Sequence, residues 1–459
     1  MSGAVLSRSD VRPAVLTAGP LLPVVGADTE VPLVPSGRAR YVNLDTAAST
    51  PALVAVAERV AEALPLYASV HRGAGYLSQV STALYESARD TVAGFVGARA
   101  DDVCVLTRNT TDALNLLAGC VPPGRRVLVL DCEHHADLLP WQRRGATVLP
   151  TRATVTATLR DLGAELARDR YALVAVTGAS NVTGEALPLA DVVALAHAAG
   201  ARVAVDGAQL VPHRRFSLAA TGADYVALSG HKLYAPYGVG ALVGRRDWLD
   251  AAPPYLAGGG AVHDVTVEAT TWATAPHRHE GGSPNVLGAV ALAAACAALS
   301  GLPEGALEAH EAQLRARLEE GLDALPGVRR LRIWPDSTAP TGVVGFTVEG
   351  ADPGLVAACL SAEHGIGVRD GRFCAHPLLA RLGVPQGALR ASVGVATTSA
   401  DVDRLLDGLA AFLCSGPAVP YAVRDGRWQP VDDPRPLAGL GGADLDSVAR
   451  GAGCGAPGR

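Results

Sequence analysis

The chain has 459 residues, of which 49% are hydrophobic and 18% charged, a balance typical of a large globular protein and not of a disordered one. Its net charge of -6 and pI near 6.1 give no basic surface for nucleic acid, and no apolar run is long enough to span a membrane. We therefore expect no nucleic-acid partner and no membrane association. Because the first residues lack a signal-peptide pattern, we expect a cytoplasmic protein.

The eight cysteines are dispersed along the chain without a CxxC pair. This spacing argues against a zinc site and against a disulfide framework. We expect mostly buried, reduced thiols and at most one reactive cysteine.

Residues 1–40 are rich in Pro, Val and Gly without a sustained period and predict an extended N-terminal arm. From Tyr41 onward, predicted strands and helices alternate. The predicted elements are a helix at 53–64, strands at 103–107, 127–131 and 171–177, a helix at 191–199, and strands at 203–206, 225–228 and 238–244. This alternation is typical of an α/β fold with a largely parallel, doubly covered sheet, and we assign residues 41–301 to this large domain.

A polar helix start follows the strand at 103–107, with Asn109, Thr110, Thr111 and Asp112 preceding the helical ALNLLAG. Threonine hydroxyls, unpaired backbone N–H groups and the positive end of the helix dipole suit a dianionic phosphate. The same residues also fit an ordinary helix N-cap, and the two interpretations stay open at this point.

Two short apolar strands end abruptly in polar groups. The strand VAVD ends at Asp206 and is followed by Gln209. The strand YVALS ends at Ser229 and is followed by His231 and Lys232. A lysine just past a buried strand loses its proton readily, because a low dielectric disfavours the ammonium, and it can then form a Schiff base with an aldehyde. Asp206 is placed to keep a pyridinium nitrogen protonated, which makes pyridoxal phosphate an electron sink. For a lone lysine the alternative is a solvated surface group.

The pattern changes at about Leu302, where an amphipathic helical stretch opens a predicted smaller α+β domain, residues 302–419. The apolar side of that helix consists of Leu314, Leu318 and Leu322. Further predicted elements are strands at 328–333 and 343–348 and a helix that ends near Gly365. Residues 420–459 are rich in Gly, Pro and Asp and predict a loosely attached C-terminal extension.

The segments YVNLDTAAS, EHHA, VDGAQ, SGHK and TTW with GGSPN resemble the class V branch of fold type I pyridoxal-phosphate enzymes, most closely the cysteine desulfurase and selenocysteine lyase family. The resemblance covers about residues 41–415. It implies a large domain with a mostly parallel seven-stranded sheet covered by helices, a smaller α+β domain, and pyridoxal 5'-phosphate as cofactor. It also implies a homodimer, because a family threonine, at the position of Ser283 here, reaches the other subunit's phosphate.

The resemblance assigns cofactor contacts along the large domain. These residues are Thr110, Thr111, His134, Asn181, Asp206, Gln209, Ser229, His231, Lys232 and Ser283. His134 is expected to stack on the ring and to donate a proton near neutral pH, and Asn181 to bind near the phenolic oxygen. Asn109 replaces a family glycine, and asparagine tolerates a positive φ at such a turn. No carboxylate or cysteine cluster accompanies His134 and His135 at ligand spacing, so no metal is expected.

The segment VHRG at 70–73 corresponds to one that lies near the active site in this family, which implies that His71 and Arg72 lie there too. The residues alone favour a loop in which His71 and Arg72 are solvated charges, and only the resemblance places them near the active site.

The resemblance assigns the substrate side to the second domain. Arg390, in LRASVG, matches the arginine that clamps the substrate carboxylate through its planar fork, with Arg369 and Asn181 assisting. Cys374 matches the family nucleophile. The implied reaction uses Lys232 as the base and the Cys374 thiolate as the attacking group, leaves a persulfide on the enzyme and releases alanine. Arg369 and Arg372 are expected to favour the thiolate.

Other interpretations stay open. Many relatives carry Gly-His-His-Cys, whereas Arg372 and Phe373 precede Cys374 here, and any single cysteine is also interpretable as a buried apolar thiol. The same scaffold supports an aminotransferase, an epimerase or a C–S lyase of secondary metabolism. A cofactor-binding regulatory protein is a third class, which the set of Lys232, Asp206 and Arg390 disfavours. The substrate is L-cysteine or a related amino acid, and a sulfur-acceptor protein is a further expected partner.

Overall fold

The computed structural model describes residues 17–71 and 73–435. The first 16 residues of the predicted arm, Arg72 of the VHRG segment and the extension beyond residue 435 lie outside the described residues.

The strands are, in chain order, β1 (Glu30–Pro32), β2 (Arg38–Arg40), β3 (Val42–Asn43), β4 (Asp102–Thr107), β5 (Val127–Leu130), β6 (Thr147–Leu149), β7 (Leu173–Thr177), β8 (Arg202–Asp206), β9 (Tyr225–Ser229), β10 (Gly240–Arg245), β11 (Val262–Val265), β12 (Thr270–Trp272), β13 (Val328–Arg330), β14 (Val343–Val348), β15 (Ile366–Gly367), β16 (Arg369–Gly371), β17 (Ala388–Ser392), β18 (Tyr421–Arg424) and β19 (Arg427–Pro430).

The α-helices are α1 (Val54–Ala63), α2 (Tyr76–Phe95), α3 (Thr110–Cys120), α4 (His135–Gln142), α5 (Val155–Arg168), α6 (Leu189–Ala198), α7 (Leu218–Thr221), α8 (Arg246–Ala251), α9 (Val286–Ser300), α10 (Ala306–Ala324), α11 (Pro353–His364), α12 (His376–Arg381) and α13 (Ser399–Ser415). None of the helices in the described ranges is both long and apolar enough to cross a membrane.

The large sheet has seven strands in the order β4-β10-β9-β8-β7-β5-β6. The five strands from β9 to β6 are parallel, and β10 runs antiparallel to both of its neighbours. β7 and β9 are buried at every residue, as expected for strands covered by helices on both faces. The predicted α/β fold with a mostly parallel seven-stranded sheet is confirmed, and the parallel strands end at one common edge.

A second sheet has the antiparallel order β13-β14-β17-β16 and packs against α10 and α11, and α13 packs on both of these helices. Leu314, Leu318 and Leu322 are buried in its core, which confirms the predicted apolar side of the helix and the smaller α+β unit. β13 is shorter than the predicted strand at 328–333. It ends at Arg330. The backbone N–H groups of Ile333 and Trp334 donate to the buried carboxylate of Glu185 and not to the carbonyl groups of a neighbouring strand.

The ends of the described chain pack on this second unit. The Ala18 N–H donates to Ser399 Oγ at 2.9 Å, and the Val34 N–H donates to Ala362 O at 2.9 Å. β18 and β19 form a hairpin that packs on α11, whereas the sequence predicted a loosely attached segment. Asp425 and Gly426 both have positive φ, 49° and 75°, which is the pair of left-handed residues that a two-residue hairpin turn requires.

Candidate active site

A cavity of about 380 Å³ lies at the common edge of the parallel strands, facing β16 and β17 of the second sheet. The predicted site residues on its lining are Thr110, Thr111, His134, Asn181, Asp206, Gln209, Ser229, His231, Lys232, Arg369, Cys374 and Arg390. Ser283 is exposed and is not among the lining residues. The fold therefore brings together residues that lie as far apart in sequence as Thr110 and Arg390.

Lys232 lies in a single 3₁₀ turn, Gly230–Lys232, directly after β9. A Cβ at Gly230 would lie 2.8 Å from the carbonyl oxygen of Val239, so only glycine lets the chain turn this close to the neighbouring strand. The Thr50 backbone N–H and hydroxyl both donate to the carbonyl oxygen of His231, at 2.8 and 3.1 Å. These contacts hold the lysine at the edge of the sheet.

Burial lowers the pKa of Lys232 to about 8, with the nearby Arg390 acting in the same direction and Asp206 in the opposite one. An appreciable fraction of this amine is therefore neutral at physiological pH. Of the 39 lysines and arginines, 38 are arginine and Lys232 is the single lysine in the sequence. This compositional signal, which the motif analysis did not use, points to the same residue.

Asp206 ends β8 beside Lys232, and it is 3% exposed. Its Oδ1 accepts a hydrogen bond from the Ala208 N–H at 2.9 Å. Burial raises the pKa of Asp206, whereas the Ala208 N–H and Lys232 act in the opposite direction. A buried carboxylate beside a cation in this position can balance a second positive charge in the cavity.

The start of α3 forms a polar cradle on the other side of the cavity. The Thr110 N–H donates to Ser229 Oγ at 2.8 Å, and the two hydroxyls hydrogen-bond at 2.8 Å, while Thr111 lies exposed on the lining. A Cβ on Gly240 would lie 2.7 Å from the Cα of Asn109, so β10 and the helix start are in direct contact. Asn109 caps α3 from an extended backbone with φ -173°. The expectation that Asn109 adopts a positive φ at this turn was therefore wrong.

His134 is the N-cap of α4, and its Nδ1 accepts a hydrogen bond from the Ala136 N–H at 3.0 Å. The ring proton is therefore on Nε2. Burial lowers the pKa of His134 to about 3, with further contributions from Lys232 and His135. The imidazole is neutral at physiological pH, so our expectation that it would gain and donate a proton near neutral pH does not agree with its burial.

Arg390 is a buried cation on β17. It donates to Asp45 Oδ1 at 2.8 Å and to the carbonyl oxygen of Asn181 at 3.0 Å, and its Nε is buried without a hydrogen-bond partner in the described ranges. Asn181 Nδ2 donates to the carbonyl oxygen of Phe373 at 2.8 Å. Asn181 therefore also connects the large sheet to the segment that contains Cys374.

Cys374 lies on the lining in a partly buried position, whereas five other described cysteines are buried and Cys414 is exposed. Phe373 and Cys374 both have left-handed backbones, with φ of 49° and 52°, and the His135 N–H donates to the Cys374 carbonyl oxygen at 2.8 Å. A Cys374 thiolate interacts electrostatically with Lys232 and Arg390.

Two arginines near the cysteine in sequence have different positions. Arg369 pairs in register with Arg390 across β16 and β17 and lies on the lining. Arg372 is not among the lining residues, and its charge acts on His135 and His376. The charges that act on the thiolate are those of Arg390, on β17, and of Lys232, which comes from the large sheet.

Two histidines that the motif analysis did not assign lie beside this segment. The rings of His135 and His376 meet edge to face at 4.4 Å, and the His376 N–H donates to His135 Nε2 at 3.4 Å. Burial lowers the pKa of both, with Arg372 acting in the same direction. Imidazoles are thus present next to Cys374 even though Arg372 and Phe373 precede it.

His71 of the VHRG segment is exposed and is not among the lining residues of the cavity. Its Nε2 lies 2.7 Å from Glu86 Oε1. His71, Glu86 and His277 have potential ligand atoms within 4.8 Å of one another, as does a second group, Cys359, Glu363 and His364. No member of either group is among the lining residues of the cavity, so neither group adds a metal ligand to this site.

Residues 42–405 match the family model described as Aminotransferase class-V. The chain is 39% identical over 379 residues to the cysteine desulfurase of Dickeya dadantii (strain 3937), covering 80% of this chain and 90% of that protein. Its structure is similar to that of the cysteine desulfurase CsdA from Escherichia coli, with a TM-score of 0.72, 37% identity, and 81% and 94% of the two chains covered. A cysteine desulfurase from Thermococcus onnurineus NA1 has a TM-score of 0.75 at 33% identity, with 82% and 95% covered.

The chain therefore belongs to the class V aminotransferase family. Within that family it belongs to the cysteine desulfurase branch, as its motifs predicted.

Proposed function

We propose that this protein is a pyridoxal-phosphate-dependent cysteine desulfurase that converts L-cysteine to L-alanine and leaves the sulfur as a persulfide on Cys374. The observation on which the proposal rests is a single cavity lined by the amine of Lys232, the guanidinium of Arg390 and the thiol of Cys374. Relatives that are 36–40% identical over most of their length are named cysteine desulfurases or probable cysteine desulfurases.

The residues of the cavity fit pyridoxal phosphate. Lys232 offers an amine with a pKa of about 8 for the aldehyde, Asp206 a buried carboxyl for the ring nitrogen, and the start of α3 hydroxyl and N–H groups for the phosphate. The buried Oε1 of Gln209, also on the lining, has no hydrogen-bond partner within residues 17–71 and 73–435, as expected for a group that meets a ligand. When bound, pyridoxal phosphate supplies an electron sink for the pair released at the substrate Cα.

Lys232 is both the attachment point for the aldehyde and the base. An ordinary lysine is almost fully protonated at neutral pH, whereas burial gives this one a pKa of about 8. Lys232 would hold the aldehyde of pyridoxal phosphate, and its neutral amine would take the proton from the substrate Cα and return it when alanine forms. His134, neutral at this pH, provides a flat ring on the cavity wall without adding charge.

Arg390 binds the substrate carboxylate. Its guanidinium already holds one carboxylate, that of Asp45, at 2.8 Å. The substrate carboxylate replaces or joins Asp45 on this fork, and Arg369, in register on the next strand, adds a second positive charge. This contact fixes the orientation of the amino acid in the cavity.

Cys374 accepts the sulfur. Its thiolate attacks the substrate sulfur, a sulfur–sulfur bond forms, the substrate Cβ–S bond breaks, and the electron pair remains with the carbon, which becomes the methyl group of alanine after protonation. The positive charges of Lys232 and Arg390 favour the thiolate. His135 and His376 lie next to the cysteine segment, and burial lowers the pKa of both, so they add no positive charge there.

The test compares the cofactor-loaded wild type with Cys374→Ala and with Cys414→Ala, a matched change at an exposed cysteine outside the cavity. L-Cysteine and a reductant are supplied, and alanine and sulfide are measured. We expect Cys374→Ala to lose both products and Cys414→Ala to retain them. Equal alanine formation by all three proteins would contradict the persulfide mechanism, and pyruvate with ammonia from Cys374→Ala would support a C–S lyase instead.

We also propose a homodimer, a sulfur-acceptor partner protein and a cytoplasmic location. Ser283 is exposed and lies outside the lining of its own cavity, as expected for a residue that contacts the cofactor phosphate of a second copy. Cys104, Cys120, Cys132, Cys296 and Cys359 are buried thiols outside disulfides, which suits a reducing compartment. Light scattering tests the dimer: a monomeric, fully active protein would contradict it.

A further inference from the structure

Three carboxyl groups lie buried at the edge of the large sheet. Glu133 and Asp137 are both 0% exposed, and Asp206, on the cavity lining, is 3% exposed. Glu133 precedes α4 and Asp137 lies in its first turn, four residues further on. The mechanism above uses Asp206 and leaves the other two without a role.

Each of the two unused carboxyls has one satisfied oxygen and one unsatisfied one. Glu133 Oε2 accepts a hydrogen bond from the Thr177 N–H at 2.8 Å, and Asp137 Oδ1 accepts one from Trp141 Nε1 at 2.8 Å. Glu133 Oε1 and Asp137 Oδ2 are buried, and no donor reaches either of them from the described part of the chain. Two ionised carboxylates can only accept hydrogen bonds, so these two oxygens cannot satisfy each other without a proton.

The charges around the pair are negative. Glu133 and Asp137 interact with each other and with Asp206, and the Cys132 thiol is a further acidic neighbour of Glu133. Neither carboxyl forms an ion pair with any described Lys, Arg or His. Burial raises the pKa of both, and their mutual repulsion raises the pKa of Glu133 further. Asp206 differs, because Lys232 and the Ala208 N–H stabilise its charge.

We propose that Glu133 and Asp137 share one proton between their two unsatisfied oxygens, so that the pair carries a single negative charge and Asp206 stays ionised beside it. One proton gives both oxygens a hydrogen bond and removes one of three negative charges from a buried cluster. When the surroundings of neighbouring carboxyls make their pKa values differ in this way, the difference determines which carboxyl is protonated and which is ionised. The use of the ionised Asp206, as the partner of a cofactor ring nitrogen, rests on the proposed function.

Asp137→Asn replaces the proton with an amide donor. The introduced amide can accept from Trp141 and donate to Glu133, so an ionised Glu133 beside this amide has the same net charge as the proton-sharing pair. Infrared difference spectroscopy of the cofactor-loaded protein reports the carbonyl band of a protonated carboxyl. We expect this band at neutral pH in the wild type, its loss in Asp137→Asn, and its retention in Asp206→Asn.

Glu185→Gln is the matched control, because Glu185 is equally buried but accepts donors at both oxygens. This variant should keep the band. Loss of the band in Asp206→Asn, with retention in Asp137→Asn, would place the proton on Asp206 and overturn the proposal. Absence of the band from the wild type would overturn it as well.

The pH dependence of stability is a second readout. In the wild type the folded state binds a proton that the unfolded state releases above pH of about 4, so the folding equilibrium constant falls about tenfold per pH unit from there up to the pKa of the pair. Asp137→Asn lacks this proton uptake. The difference between the unfolding midpoints of Asp137→Asn and wild type should therefore increase in favour of the variant as the pH rises. Parallel plots of the two midpoints against pH would overturn the proposal. Neither readout requires sulfur transfer, so a failure of the proposed desulfurase activity stays distinguishable.

Discussion

The amine of Lys232 should titrate far below an ordinary lysine, and the single-lysine sequence makes this measurable. Burial lowers its pKa from 10.5 to about 8. The neutral fraction at pH 7 is then roughly one in ten, about 300-fold more than for an ordinary lysine, since each pKa unit is a factor of ten. The rate of acylation of the apoprotein at this amine should follow the neutral fraction, with a midpoint near pH 8.

Asp206→Asn is the informative perturbation. Asp206 is the main group that opposes the effect of burial on Lys232, so its neutralisation should lower the pKa of the amine further. The assay is the pH profile of the reaction rate with a lysine-selective acylating reagent, followed by peptide mass spectrometry. Lys232 is the only lysine in the sequence, so its peptide is separated from the single other amine, the N-terminus, by digestion.

The control is Asp224→Asn. Asp224 is a buried aspartate at the opposite end of β9, where it accepts a hydrogen bond from the Val203 N–H at 2.8 Å. This variant should leave the Lys232 midpoint unchanged if it stays folded, which its thermal unfolding checks. A wild-type midpoint near 10.5, or equal midpoints in wild type and Asp206→Asn, would refute the electrostatic reasoning.

Three further predictions concern substrate, cofactor and stability. Arg390→Lys should lower kcat/KM for L-cysteine roughly 10- to 100-fold, because a charged hydrogen bond of about 1.5–3 kcal/mol is lost; an unchanged value would exclude the carboxylate clamp. Gly240→Ala should weaken pyridoxal phosphate binding in an equilibrium titration, because its methyl group would lie 2.5 Å from the Leu228 carbonyl oxygen and displace the start of α3. Glu311→Gln should cost about 3–5 kcal/mol of stability in denaturant unfolding, since the buried carboxylate pairs with Arg214 at 3.0 Å, whereas Glu62→Gln at an exposed pair should cost little.

Several parts of the site followed from sequence because they depend on local order. The strand ends that deliver Asp206 and Lys232 are visible as buried apolar runs that stop at polar residues, and both side chains lie on the cavity lining. The start of α3 was likewise visible from Thr110 and Thr111. Such features depend on the few residues on either side of them.

Other parts were missed although a signal was present. The hairpin of β18 and β19 is marked in sequence by an Asp-Gly pair between two short strands, and the composition of the whole tail obscured it. His376 follows Cys374 by two residues, at a position to which the motif assigned no role. The single lysine among 39 basic residues was likewise countable from the start.

The sequence by itself determined which residue types end each strand and therefore the chemistry that the chain can offer. The tertiary structure alone decided the state of those groups: the neutral ring of His134, the fork of Arg390 on Asp45, and the unsatisfied oxygens of Glu133 and Asp137. The physical reason is that a pKa and a hydrogen bond depend on burial and on neighbours in space. The neighbours of Arg390 and His134 include residues far away along the chain, Asp45 and Lys232, and the spacing of residues along the chain does not encode such distances.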